Sequence, residues 1–337
     1  MRAARQLRVA CISVLVAVLI LGYASPTFAY LKFGFEVSGR QVAVKWARTP
    51  IRYFVNDQPG NGVSAAEFQR AVSRAFSTWQ AVPTSSITYS FAGPTTALPG
   101  DDDNRSTLGF LDEPDLERVL ASTNFLVDEV TGEILEADIF FNSAFQWSVA
   151  ENGERNRWDV ETIALHEIGH LSGLGHSALG ETEMLNGGRH VISTGAIMFP
   201  IAIGPGDISG RQLDADDVAG ISDLYPDNNF SDTTGSVSGR VTKNGRGVFG
   251  AHVVAFDSAT GNLVGNFTLS TNGEFSIAGL RPGPYAIRVE PLDDADTASF
   301  FDPGEPVDIN FRTKYFESLV IVPRGGDSGS IRVAVVP

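Results

Sequence analysis

The stretch HEIGHLSGLGH, residues 166–176, holds three of the chain's five histidines. His166 and His170 are four apart, so on a helix their rings share one face, about 6 Å apart in rise. Two imidazoles so placed grip one metal ion. A third ligand from the same helix would approach a tetrahedral ion at a poor angle. Gly173 resolves this, because glycine accepts positive φ and ends the helix, so that His176 reaches the ion from another side. Three neutral imidazoles and one open position are the donor set of a catalytic zinc site, not of a closed structural one. Glu167 points about 100° round the helix, beside the ion. A carboxylate there accepts a proton from water activated by the ion and passes it to a leaving amine. The reaction that needs this set is hydrolysis of a peptide bond. Incidental core histidines or a non-catalytic zinc site are the plainer alternatives, and the fixed offsets of HExxHxxGxxH weigh against both.

These residues need a helix to carry them. Asp159 is placed to cap one, Glu161 suits its positive end, and Ile163, Ala164 and Ile168 supply apolar spacing. An earlier helix begins at Ser64, where Ser64 and Glu67 form a capping box. Phe68, Ala71, Val72, Ala75, Phe76 and Trp79 make its apolar face, and Pro83 ends it. Strands are expected at residues 50–56 and 87–91, with a short one at 108–110, and a hairpin at 119–142 turns at 129–132. A Gly-rich loop is expected over 180–195. A final helix spans 213–226, with Asp214 as its cap. The loop at 98–107 carries three aspartates, Asp101, Asp102 and Asp103. A solvated acidic loop is the plainer reading, and calcium is the cation such oxygens would take.

With a formal net charge of −15, nothing in the composition resembles a nucleic-acid binder, which would need basic patches. At the N-terminus, Arg2, Arg5 and Arg8 precede an apolar run from Val9 to Gly22, too short to span a bilayer. Thr27 and Ala29 then offer small residues for cleavage before Tyr30, so residues 1–29 read as a secretory signal peptide and not an uncleaved anchor. The only cysteine, Cys11, lies within it. The mature protein is then expected without a thiol, secreted to an extracellular or periplasmic space, and stabilised by its cores or by metal.

The histidine motif followed by AIMFP, residues 196–200, resembles the metzincin clan of zinc proteases. With Ser177 after His176, it looks like the matrixin family within that clan. The chain order from about Pro50 to Pro226 agrees with this resemblance. It implies a twisted mixed sheet with long helices, and an edge strand that pairs antiparallel with an extended peptide. Met198 would form a soft apolar floor under the zinc, and a pocket would be walled by residues 199–201, Pro200 among them. Asp216 and Asp217 would buttress the methionine turn. The chain departs from animal-type members. It lacks a propeptide cysteine, and it lacks the extra histidines of a second zinc, since only His190 and His252 remain. The segment between His176 and Met198 is also long, and its extra residues are expected at the cleft rim or as a lid.

Beyond residue 236 the sequence contains only short strands and Gly/Pro/Asn turns, the pattern of a β-sandwich. It resembles the carboxypeptidase regulatory-like domain, a prealbumin-type fold, with Phe275, Leu280, Tyr285, Ile287 and Val289 as its core. The fold class is therefore α+β. The expected organisation is a signal peptide at 1–29, a protease domain at 30–226, a linker at 227–236 and a sandwich at 237–337. The expected partner is an extended peptide or protein, with no nucleic acid. Binding to a surface or substrate, or simple folding support, are the two roles open to the sandwich, and a monomer is expected. The rivals are a retained but unused protease fold, which would have no need of Glu167, and a pappalysin-like metzincin sharing the motif.

Overall fold

The computed structural model describes residues 6–11, 32–38, 40–186, 188–292 and 296–337. The rest of the expected signal peptide, 1–5 and 12–29, lies outside them. Among the described residues no helix is long and apolar enough to cross a membrane.

The first half of the chain contains β1 (Gln6–Cys11), β2 (Gly34–Val37), β3 (Arg40–Ala43), β4 (Ile51–Asn56), α1 (Ala65–Gln80), β5 (Tyr89–Thr95), β6 (Ser106–Leu111), β7 (Ala121–Asp128) and β8 (Ile134–Asn142). The short pair β9 (Trp147–Ser148) and β10 (Trp158–Asp159) follows, then α2 (Val160–Leu171), β11 (Gly180–Leu185), β12 (Gly188–Thr194), α3 (Ala215–Leu224) and α4 (Phe230–Thr233). One six-stranded sheet runs β1-β7-β8-β6-β4-β5. β8, β6, β4 and β5 pair parallel, and β7 is antiparallel to β8. The edge of β7 is occupied by β1, also antiparallel, with Cys11 opposite Thr123. The sheet is thus the mixed sheet that the family resemblance implies.

Ser64 and Glu67 close the capping box of α1, whose face from Phe68 to Trp79 is buried as the helical spacing requires. Trp79 is fully buried, and its Nε1 donates to the Leu165 carbonyl at 2.8 Å. This bond ties α1 to α2. Asp159 caps α2 by accepting from Thr162 N at 2.9 Å. Arg211 also reaches Asp159, at 2.6 Å, which fixes the N-terminal end of α2 against the segment after the methionine turn. α2 is buried on nearly every face, so its side chains have little freedom.

The other end of α2 is held by the chain's lead-in, which forms the hairpin β2–β3. Phe33 N donates to the Gly173 carbonyl at 3.1 Å, and Trp46 Nε1 donates to Leu171 O at 2.8 Å. Lys32 pairs with Asp223 of α3. The Phe33 ring lies 5.4 Å from Phe125 of β7 and 5.6 Å from His170.

Two expectations change. The 180–195 stretch is the antiparallel hairpin β11–β12, not a loop. The 227–236 segment is not a free linker. Asp227 N donates to Thr84 O at 3.0 Å, α4 follows, and β13 already begins at Gly235.

The second half is a sandwich. One sheet holds β13 (Gly235–Lys243), β14 (Arg246–Gly247), β17 (Glu274–Leu280) and β21 (Asp327–Val335). The other holds β15 (His252–Asp257), β16 (Leu263–Phe267), β18 (Gly283–Glu290), β19 (Lys314–Tyr315) and β20 (Val320–Val322). Val237, Phe275, Ile277, Tyr285, Ile287 and Val333 fill its core. The sandwich docks directly on the first half. Ala219 of α3 joins its core, and Ala178 packs with Phe249, Phe267 and Phe301.

Candidate metal centre

His166 and His170 stand on successive turns of α2 with ring centroids 4.7 Å apart. The helix ends at Ser172, and Gly173 takes φ +100°. A Cβ at Gly173 would sit 2.3 Å from the Val44 carbonyl, so both conformation and space require glycine. The chain turns back there and brings His176 to 4.7 Å from His170 and 5.4 Å from His166, between ring centroids.

The ligand-type nitrogens of the three rings lie within 4.8 Å of one another. His170 Nε2 and His176 Nε2 are 3.2 Å apart. Zinc–nitrogen bonds of about 2.0–2.1 Å place tetrahedral neighbours at roughly that separation, so the donor set fits zinc. Each Nδ1 faces a backbone carbonyl: His166 toward Ile197 O at 2.7 Å, His170 toward Leu174 O at 2.8 Å, and His176 toward Ser299 O at 2.7 Å. An Nδ1–H donated to each carbonyl leaves Nε2 as the lone-pair donor. Burial is the main force keeping these rings neutral. It lowers the pKa of His166, lowers His170 well below the ordinary range and takes His176 to about 3. Neutral imidazole is the ligand form.

Glu167 is buried beside the histidines at 4% exposure. Thr123 of β7 donates its hydroxyl to Glu167 Oε2 at 2.7 Å. Burial pushes the carboxyl up to about 7, against the opposing pull of that hydrogen bond.

Met198 is 2% exposed. It sits directly against α2, since a Cβ at Gly169 would lie 2.2 Å from its Sδ. The turn that carries it hangs on Asp217, which accepts from Ile197 N at 2.9 Å and Met198 N at 3.2 Å. Asp216 does not share that task. It accepts from Gly265 N of the sandwich at 2.8 Å, because α3 faces the second domain on that side. Burial raises both carboxyls, Asp216 to about 6. Phe199 is buried against Gly180 of the hairpin. Pro200 and Ile201 are half-buried. The concavity beside α2 is lined farther along, by Ala202 and Ile203 with Trp158, Thr162 and Ile163. His190 is exposed on β12, and His252 is buried at the domain boundary, 3.1 Å from Glu290.

The sequence reading did not find Thr123 or Ser299. Neither has a fixed offset from the histidine motif, and both arrive by strand register or domain docking.

The model of the matrixin family matches residues 45–226, more than half the chain. The chain belongs to the matrixin family. Matrixins are zinc-dependent metalloproteases, and the triad here is the donor set such an enzyme needs. Residues 236–314 match the carboxypeptidase regulatory-like domain. Metalloendoproteinase 5-MMP of Arabidopsis thaliana is 41% identical over 86 residues, 26% of this chain and 19% of its own. Metalloendoproteinase 2-MMP of the same plant is 36% identical over 117 residues, 34% of this chain and 26% of its own. The chain thus spans about a fifth to a quarter of these relatives' length. A solved DUF3823 family protein from Parabacteroides merdae is 18% identical over 31% of this chain and 47% of its own, with a TM-score of 0.20, too low to bear on the matrixin fold.

Proposed function

We propose that this matrixin is an exported zinc-dependent endopeptidase that hydrolyses extended stretches of protein, with Glu167 as general base. The observation that carries the reading is the convergence of three imidazoles, their ligand-type nitrogens within 4.8 Å of one another, with the buried carboxyl of Glu167 next to them in the chain. His166, His170 and His176 would hold the zinc, which supplies Lewis acidity to polarise a substrate carbonyl and acidify water. Glu167 takes up the proton and returns it to the leaving amine. Thr123 holds one carboxylate oxygen and so fixes the rotamer of the base. Met198 and Asp217 keep the floor beneath the histidines rigid.

The pairing of β1 supports an extended substrate. This sheet edge takes up a backbone segment antiparallel along β7, beside the strand position that contacts Glu167. Cleavage before Tyr30 removes β1 and opens the edge to a guest strand. The basic and apolar pattern of residues 1–29 supports export.

Casein zymography of the purified chain, with and without a chelator, tests the reading alongside Glu167→Gln. The expected outcome is chelator-sensitive cleavage by the parent. The variant should keep its zinc by elemental analysis and lose on the order of 10²–10⁴ in rate. A Glu167→Gln protein that cleaves at the parent rate, or a folded parent without transition metal, overturns it.

A further inference from the structure

We propose that the sandwich domain is a working part of the metal centre, because the backbone carbonyl of Ser299 positions the third histidine. This rests on the reading that the triad holds an ion.

A metal-ligating imidazole is oriented by the acceptor for its other N–H. His166 and His170 find theirs close by, in the methionine turn at Ile197 and in the reversal after α2 at Leu174. His176 lies beyond the helix, on a segment with no helical hydrogen bonds to set its ring. Its acceptor is 123 residues away, on the other domain, at 2.7 Å.

The turn presenting that carbonyl is closed on itself. Ser299 N donates to Asp296 O at 2.8 Å, and Phe301 N donates to Thr297 O at 2.9 Å. Phe301 anchors it, with ring centroids 5.5 Å from Phe249 and 5.2 Å from Phe267. The same apolar cluster contains Ala178, two residues after His176. Phe300 lies edge-on to the His176 ring at 6.4 Å. A second tie runs alongside, from Gly265 N to Asp216. The carbonyl and the imidazole it faces are thus fixed to one another by packing on both sides. The turn meets Nδ1, while Nε2 faces His170 on the opposite side of the ring.

Ser299 is therefore a positioning residue acting through its main chain, and the turn must be displaced to remove it. The test replaces residues 297–300 with two glycines in the full-length chain. A milder variant, Phe301→Ala, loosens the anchor and provides the measurement if the replacement does not fold. Tyr315→Ala, exposed on the same domain, serves as control. Zinc affinity is read by chelator competition. The cobalt-substituted protein is read by NMR for exchangeable, paramagnetically shifted imidazole N–H signals.

The parent and the control should show three slowly exchanging N–H signals. The turn variants should bind zinc about 10- to 100-fold more weakly and lose the slow exchange of one signal, with the other two unchanged. Turn variants with parent zinc affinity and three slow signals overturn the proposal and leave the peptidase reading intact. A folded parent that takes up neither zinc nor cobalt overturns the peptidase reading, and this proposal with it.

Discussion

Thr123 shows how a single hydroxyl tunes the centre. It spans from β7 to the carboxylate of Glu167 and also lies 3.1 Å from that residue's carbonyl, so it holds the base to its own helix. Thr123→Val keeps the shape and removes the donor. The expected result is unchanged zinc content and a kcat lower by about tenfold, since a buried acceptor loses a hydrogen bond worth about 1–2 kcal/mol. Steady-state kinetics with elemental analysis checks it, and an unchanged kcat would assign Thr123 to packing alone. At this scale the sequence was legible where chemistry is local. His166, Glu167, His170, Gly173 and His176 are set by offsets along one helix and one turn. Thr123 and Ser299 were not legible, because strand register and domain docking leave no spacing to count. Asp216 and Asp217 differ for a related reason. They are adjacent in sequence, but successive residues of a helix point in different directions, one to the methionine turn and one to the sandwich.

Among the elements, the helices matched their sequence signals most closely. The capping box of α1 and the Asp159 cap of α2 state their starts directly. The hairpin β11–β12 was obscured because Met184, Leu185 and Ile192 are exposed, so no buried face imposes an alternating pattern. The acidic loop before β6 is held to the sheet by Asp138 of β8, which accepts from Gly100 N at 2.7 Å and Thr107 N at 2.8 Å. Burial pushes Asp138 up to about 7, with Glu136 and Asp103 adding to the rise. A carboxyl raised on folding keeps its proton when the unfolded chain has lost its own. Its contribution is therefore complete below about pH 4 and declines as pH rises through about 7. Asp138→Asn, which cannot titrate, should flatten that decline. Urea midpoints at pH 4.5 and 7.5 measure it: the parent should lose roughly 1–3 kcal/mol more than the variant across that interval. Equal losses would mean that Asp138 titrates normally.

For the molecule as a whole, the two halves share cores, hydrogen bonds and one histidine's acceptor. The sequence revealed a change of composition near residue 236 but not this docking, since the contacts of Ala178, Ala219 and Phe301 lie far apart in the chain. The expected outcome is one cooperative unfolding transition. All four tryptophans, Trp46, Trp79, Trp147 and Trp158, lie in the first half. Their fluorescence reports that half, and hydrogen exchange in β13 and β17 reports the other. The two probes should share a urea midpoint, and separated midpoints would mean independently stable halves. The lead-in hairpin has its own consequence. Removal of the lead-in through Phe33 would take away the ring packed beside His170 and the Lys32–Asp223 pair, and so is expected to weaken zinc binding with the histidine motif itself untouched.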